Sequence, residues 1–364
     1  MKRLLSCLLV LFIAFSAFAS INFTIDTIAQ YAGAVDPTAE IMEGFTIGGA
    51  DETVFADMNA TLKGGPASAL LNVRFRMPSA KYDGAAVEVH GWEINAKVND
   101  WLRFSVGNTA YEIFTESISW EPVFGAGLFE QGRNRIYLDI TPLSELQIIA
   151  GFSMGQDKKA PWKTTQVAAI YEIPMVMNLA AEFSMISREM CLEMYNDGEV
   201  KTFSFQADYI GTENLELIGG YTLIMAGSSM VQHRFDAFGT YYNEKMGIEF
   251  YDALLLRLYE GEAMGNRLGL KFSFFATEKL TPTVKFNWFK NYGYSATLGG
   301  FAWSDCQLVG PGADKSLMVI EPSLGFFVSD NVTGSIGATL KFNLEPDALN
   351  KFFWSIPLCL TATF

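Results

Sequence analysis

The chain has few of the side chains from which catalytic and metal sites are usually built. Its 364 residues include two histidines, His90 and His233, and four cysteines. Neither histidine lies in a motif that supplies a nucleophile, a second acid or base, or a set of metal ligands. The acidic stretch at residues 196–199 lacks the alternating oxygen ligands of a calcium loop. We therefore expect no enzymatic activity, no metal site and no cofactor.

Basic residues are also in the minority. The chain has 26 Lys and Arg residues against 40 Asp and Glu residues, a formal net charge of −14 at pH 7. A chain this acidic is an unlikely nucleic-acid binder, so we expect no nucleic-acid partner. Acidic side chains along a solute path would instead favour cations.

Long apolar runs are absent beyond the N-terminus. Residues 4–15 form an apolar stretch interrupted only by Ser6, preceded by Lys2 and Arg3 and followed by the small-x-small sequence at residues 17–19. This arrangement predicts a secretory signal peptide, residues 1–19, that is cleaved after Ala19.

The mature chain, residues 20–364, is predicted to be a single domain. Loss of two basic residues leaves 26 − 2 = 24 against 40 acidic residues, a formal charge of −16. No later segment reaches the roughly 18 apolar residues of a membrane helix. The mature protein is therefore either exported and soluble, or crosses a membrane as strands.

Three cysteines remain in the mature chain: Cys191, Cys306 and Cys359. An odd number excludes a complete disulfide framework. A bridge between Cys191 and Cys306 and a set of three free thiols both remain open.

Apolar residues are abundant but dispersed. They make up 50% of the chain, and they alternate with Thr, Ser, Asn, Gly and charged residues. This period of two predicts about eighteen strands, with sixteen left open if one hairpin belongs to a loop. The candidate strands are residues 22–31, 53–63, 68–77, 87–98, 102–109, 135–141, 146–153, 164–172, 176–185, 200–209, 215–223, 233–242, 246–253, 266–275, 280–289, 316–326, 332–342 and 352–364.

Short and long connections alternate between these strands. The short ones are rich in Gly, Asn, Asp, Pro and Ser, and the longest others are residues 110–134, 186–199, 254–265 and 291–315. Tight turns at one rim and long loops at the other are typical of transmembrane β-barrels. Counting strands places both chain ends at the rim with the short turns.

The last thirteen residues carry a resemblance to a known class. Residues 352–364 read FFWSIPLCLTATF, with an apolar face that runs from Trp354 to Phe364. The segment resembles the C-terminal signature of bacterial outer-membrane proteins. This resemblance implies an all-β, antiparallel, up-and-down transmembrane barrel in lipid, in the outer membrane of a diderm bacterium. It also implies that the barrel-assembly machinery recognises Trp354 and Phe364.

A second resemblance lies in the loop at residues 110–134. Residues 121–127, EPVFGAG, resemble the Pro-Glu-Phe-Gly-Gly type sequence in the third surface loop of general bacterial porins, with acid and proline in inverted order. In those porins the loop bends inward and narrows the channel. The resemblance implies a porin and a possible homotrimer.

The charges around this loop predict a constriction. The loop carries four carboxylates, and strand alternation places five basic residues on the nonlipid face of neighbouring strands. The acids are Glu112, Glu116, Glu121 and Glu130, and the bases are Lys63, Arg74, Arg76, Lys97 and Arg103. Opposed charges would create a transverse field that favours polar solutes. Solvation of these charges in a wide lumen, or their pairing with one another, remains open.

The sequence as a whole favours an outer-membrane porin. It would form a water-filled diffusion channel for ions and small hydrophilic solutes, with a preference for cations. A hydrophobic-substrate transporter of the fatty-acid type and a structural or adhesive surface barrel remain as alternatives.

Overall fold

The computed structural model describes residues 19–35, 42–47, 55–76, 86–107, 135–153, 165–186, 200–226, 230–257, 264–290, 316–345 and 352–363. In these ranges the regular structure is all strand. The strands are β1 (Ala19–Val35), β2 (Met42–Ile47), β3 (Phe55–Gly64), β4 (Ala67–Arg76), β5 (Ala86–Asn99), β6 (Leu102–Gly107), β7 (Arg135–Leu143), β8 (Leu146–Ser153), β9 (Thr165–Ile173), β10 (Met177–Ile186), β11 (Val200–Thr212), β12 (Leu215–Ala226), β13 (Met230–Tyr242), β14 (Met246–Arg257), β15 (Gly265–Phe274), β16 (Leu280–Lys290), β17 (Leu317–Ser329), β18 (Val332–Gly337), β19 (Thr339–Asn343) and β20 (Phe352–Thr363).

The strands form one closed antiparallel sheet. Strands next to each other in sequence pair, except β2 with β3 and β18 with β19, and β1 pairs with β20 over residues 24–35 and 352–363, which closes the ring. β2 and β3 lie end to end along β1, and β18 and β19 lie end to end between β17 and β20. Twenty segments therefore occupy 20 − 2 = 18 positions in the ring. The predicted barrel of about eighteen strands is confirmed.

The interruption between β18 and β19 has a local cause. The backbone N–H of Ala338 donates to the carbonyl of Pro322 at 2.9 Å. Proline has no N–H to return, so this pair keeps only one of its ladder hydrogen bonds. Register is unchanged across the break, because Ile336 pairs with Leu324 and Leu340 with Ile320. β18 and β19 thus act as one strand position.

The two rims of the barrel differ as the connection lengths predicted. Tight turns join β3 to β4, β5 to β6, β7 to β8, β9 to β10, β11 to β12, β13 to β14, β15 to β16 and β17 to β18. The described end of β20 lies at this rim, where Thr363 N–H donates to the Asn331 carbonyl at 2.9 Å. β1 also begins there, since Ala19 pairs with Leu62 near the β3–β4 turn. We refer to this end as the short-turn rim.

The two faces of the wall have opposite chemistry. In β11, Thr202, Ser204 and Gln206 are buried on the inner face. Phe203 and Phe205 point outward and are 44% and 47% exposed. A soluble protein would bury such residues, whereas lipid satisfies an apolar outer band. The outer surface of the barrel is therefore that of a protein that spans a lipid bilayer. In the described ranges, no helix is long and apolar enough to span a membrane.

Candidate functional site

The inner wall of the barrel is the candidate site, because it carries the charged side chains that alternation turns away from lipid. Arg74 in β4 and Asp57 in β3 are cross-strand partners. Arg74 donates from Nε to Asp57 Oδ1 and from an η nitrogen to Oδ2, both at 2.8 Å. Next to them, Asn72 donates to Asn59 at 2.6 Å. The predicted wall residue Arg74 thus lies on the inner face, in a bidentate ion pair.

Two further predicted bases lie opposite each other near the short-turn rim. Lys97 in β5 and Arg103 in β6 are register partners on the inner face. Each has its own carboxylate: Lys97 Nζ lies 2.8 Å from Asp100 Oδ1, and Arg103 forms an ion pair with Asp139 of β7. The hydrogen bond from Lys97 and its positive charge hold the pKa of the turn residue Asp100 below its usual range. The carboxylates offset the repulsion between the two bases.

The predicted basic wall is not one cluster. Lys63 is exposed and lies next to the β3–β4 turn, near the short-turn rim, as do Lys97 and Arg103. Arg74 and Arg76 lie at the other end of β4. The sequence left open whether the wall charges are solvated or paired. Arg74, Lys97 and Arg103 each form an ion pair with a carboxylate.

Some predicted residues lie outside the part of the chain that the structure describes. They are the loop carboxylates Glu112, Glu116, Glu121 and Glu130, the cysteines Cys191 and Cys306, and the terminal Phe364. The side chain of Arg76 also lies outside it, although its backbone pairs with Phe55. Trp354 is half-buried in β20, with Leu340 and Gly33 as register partners.

An inner-wall cluster on β13, β14, β15 and β16 was not predicted. Asp236, whose side chain is 0% exposed, accepts at Oδ1 from Arg234 Nε at 2.9 Å and from the Tyr251 hydroxyl at 3.0 Å. The guanidinium of Arg267 stacks over the rings of Tyr251 and Phe289, 5.4 and 4.8 Å from their centroids. Period-two alternation places Arg234 and Asp236 on one face, so their shared face could have been predicted from the sequence. Their contacts with the neighbouring strands depend on register.

Other inner-wall charges are paired in the same way. Lys271 Nζ of β15 lies 2.6 Å from Glu249 Oε1 of β14, and Tyr242 also donates to Glu249. Farther round the ring, on β9 and β10, Gln166 donates to Glu182 at 2.8 Å. Lys271 and Glu249 are directly opposed, whereas Gln166 and Glu182 are diagonal neighbours on adjacent strands, and long side chains reach across both spacings.

The inner face also carries apolar side chains. Ile149, Ile218, Phe238, Leu317 and Val319 are buried and belong to one hydrophobic cluster. They share the inner face with the charged residues, as the pairings Asp139–Ile149 and Asp208–Ile218 demonstrate. The inner wall therefore offers a mixture of paired charges and apolar surface.

Neither a metal centre nor a catalytic centre is evident in the described ranges. No group of three or more His, Cys, Asp and Glu residues there could hold a metal ion. The Tyr221 hydroxyl and Nδ1 of His233 are 2.8 Å apart. Both side chains lie on the same face of β12 and β13 as Phe235, which is exposed. His233 thus belongs to the outward aromatic surface near the long-loop rim.

Comparisons with known proteins bear on the fold. No family model matches the chain, and no curated protein sequence matches it. Among solved structures, it is similar to a BenF-like porin from Pseudomonas fluorescens Pf-5, with a TM-score of 0.62, 9% identity, and coverage of 96% of this chain and 99% of that one. It is also similar to the outer-membrane protein OpdK of Pseudomonas aeruginosa, with a TM-score of 0.60, 9% identity, and coverage of 95% and 98%.

A third similar structure comes from another genus. OccAB4 of Acinetobacter baumannii has a TM-score of 0.58 and 8% identity, with coverage of 95% of this chain and 98% of that one. At sequence identities of 8–9%, the similarity shows a shared backbone fold. The chain therefore has the fold of bacterial outer-membrane porins.

Proposed function

We propose that this protein is an outer-membrane porin that forms a diffusion channel for ions and small hydrophilic solutes. The observation that carries the proposal is the closed ring of eighteen strand positions, whose inner face bears charged residues on many of the strands from β3 to β19. A barrel of this size is too wide for side chains from the wall alone to fill, so it can enclose a water path. The apolar outer face supports a location in the outer membrane.

Export, assembly and oligomeric state belong to the same proposal. We propose that residues 1–19 are a cleaved signal peptide and that the barrel-assembly machinery recognises the C-terminal strand through Trp354 and Phe364. A homotrimer is proposed from the porin resemblance of the loop at residues 110–134. An enzymatic role forms no part of the proposal.

The proposed cation preference rests on the excess of acidic residues. The described inner wall offers little excess of either sign, because bases such as Arg74, Arg103 and Lys271 each lie beside a carboxylate. A preference would therefore come from acids elsewhere, including the four carboxylates proposed for the inward-folded loop. This loop, opposite the basic wall, is our proposed constriction.

Planar-bilayer recording of the refolded mature chain tests the function. We expect discrete conductance steps and a reversal potential, in a salt gradient, of the sign given by cation selectivity. Vanillate, with which OpdK was crystallised in one structure, is a suitable first solute for block experiments. A folded barrel that never conducts would contradict the proposal, and anion selectivity would contradict the charge argument alone.

A further inference from the structure

The outer wall carries an apolar groove across β14 to β18. Its volume is about 670 Å³, and its lining includes Met246, Phe272, Phe274, Pro322, Ile336 and Ala338. Phe272, Phe274 and Ile336 are among the exposed apolar residues of the outer face. The groove thus opens toward lipid and not toward the lumen.

Differences in side-chain size along one cross-strand row create the groove. One row runs through Phe272, Val284, Pro322 and Ala338, which are successive register partners. The bulky side chain of Phe272 lies at one end of this row. At the other end, the compact ring of Pro322 and the methyl group of Ala338 leave a depression in the outer surface. The depression therefore follows a row, perpendicular to the strands.

The groove extends from the short-turn rim toward the middle of the membrane. Met246 and Phe274 lie at that rim, as the first residue of β14 and the last of β15. Ile336 lies four residues above Val332, the first residue of β18. Five strands span four spacings of about 4.8 Å, or about 19 Å. With strands tilted by about 40°, the row rises about 12 Å, close to the ~15 Å hydrocarbon depth of one leaflet.

The mouth of the groove carries charges of both signs. The turn before β14 contains exposed Glu244 and Lys245, and the turn before β16 contains exposed Glu278 and Lys279. The N–H of Phe275, beside the second turn, donates to the carbonyl of Lys245 at 2.8 Å, which ties the two turns together. Ammonium groups complement a phosphate, and the two carboxylates complement a cationic head group and oppose a second negative charge.

We propose that this groove is a binding site for one zwitterionic glycerophospholipid with an ethanolamine head group, from the leaflet at the short-turn rim. One acyl chain lies in the groove against Pro322 and Ala338. The phosphate lies at Lys245 and Lys279, and the ammonium lies at Glu244 and Glu278. The site is on the outer wall, so it does not depend on the proposed channel function.

Native mass spectrometry of the delipidated full barrel, titrated with phosphatidylethanolamine, tests the site. We expect one tightly retained lipid per chain. Ala338→Phe fills the groove and should weaken retention at least tenfold, by the loss of apolar contact along the chain. Ala181→Phe, an equal enlargement at an exposed outer position of β10, is the matched control and should bind as the unchanged protein does. Heat-modifiable electrophoresis checks that both variants fold.

The head-group assignment has its own test. Lys245→Gln combined with Lys279→Gln should weaken binding several-fold while leaving the groove intact. Equal lipid retention by Ala338→Phe and the unchanged protein would overturn the site. Loss of an oligomer, and not of lipid, in Ala338→Phe would assign the groove to a second copy of the chain. Tighter binding of phosphatidylglycerol than of phosphatidylethanolamine would overturn the zwitterionic head group.

Discussion

At the scale of single residues, the ion pair of Arg74 and Asp57 illustrates how charge is held on the inner wall. The two side chains are 22% and 21% exposed, so water reaches both while the bidentate geometry fixes them. Such a pair contributes about 1 kcal/mol to stability. Its larger effect is electrostatic, because its two opposite charges nearly cancel for a passing ion.

Removing one member of this pair should therefore change ion selectivity with a predictable sign. Arg74→Gln removes one positive charge from the inner wall beside Asp57 and should shift the reversal potential toward cation selectivity. Asp57→Asn should shift it toward anion selectivity. Recordings at about 0.1 M salt, where charges act over about 10 Å, give the clearest readout.

The double variant Arg74→Gln with Asp57→Asn is the internal control, and it should return close to the original selectivity. Shifts of the same sign in the two single variants would contradict this account. Unchanged conductance and selectivity in both would place the pair away from the ion path.

Residue contacts were only partly predictable. The inner-face location of Arg74, Lys97 and Arg103 was deduced from alternation. The partner of Arg103 is Asp139, 36 residues away, and no local pattern selects it. The same holds for Arg267, whose stacking on Tyr251 and Phe289 joins three strands.

At the scale of the elements, the turn between β9 and β10 contains an unusual residue. Val176 N–H donates to the Ile173 carbonyl at 3.0 Å, with Pro174 and Met175 between them. Met175 has a φ of 62° and is 85% exposed. Proline followed by a positive φ is the geometry of a type II turn, in which the second central position favours Gly or Asn. Methionine at this position carries a backbone cost of about 1 kcal/mol.

Replacement of Met175 should therefore change stability in both directions. Met175→Asn is expected to raise the free energy of unfolding by about 0.5–1 kcal/mol, since asparagine tolerates this conformation. Met175→Val should lower it by about 1 kcal/mol, because a β-branched residue fits poorly there. Urea unfolding in lipid vesicles measures both.

Val176→Asn, at the neighbouring exposed position whose φ is not positive, is the control and should bring no gain. A gain at Val176 equal to that at Met175 would show that polarity at the rim, and not backbone conformation, is responsible.

The strands themselves were largely predictable. Each of the eighteen expected spans corresponds to an observed strand position, and β8 agrees at both ends. The short strand β2 was not predicted, because its six residues carry no long alternation and it is defined by pairing with residues 29–34 of β1. The break at Ala338 was also not predicted, since it depends on Pro322 in the neighbouring strand.

At the scale of the whole molecule, closure through β1 and β20 turns a sheet into a barrel. The first and last strands pair over twelve register positions, and closure removes both open edges. Cys359 of β20 lies directly opposite Ile28 of β1. Cα atoms opposed in antiparallel strands are about 4.5–5.5 Å apart, within the range that a disulfide spans.

A cysteine at position 28 should therefore cross-link the seam. In a background with Cys191→Ser and Cys306→Ser, Ile28→Cys is expected to form a disulfide with Cys359 on mild oxidation. Mass spectrometry of the digested protein would detect the linked peptides. Ala29→Cys, whose register partner is Leu358 and not Cys359, should not link. Equal linkage at positions 28 and 29 would contradict the register and the closure it describes.

The sequence by itself determined the strands, their faces and the two rims, because a period of two and turn-forming residues are local properties of the chain. Tertiary structure alone decided which side chains meet. Asp236 accepts hydrogen bonds from Arg234 of its own strand and from Tyr251 of the next. Pro322 of β17 interrupts the neighbouring strand position at Ala338. The apolar groove over Ala338 likewise joins residues of five neighbouring strands. These contacts depend on register between strands, which the turns, the packing of the two faces and the stagger of the closed ring set together.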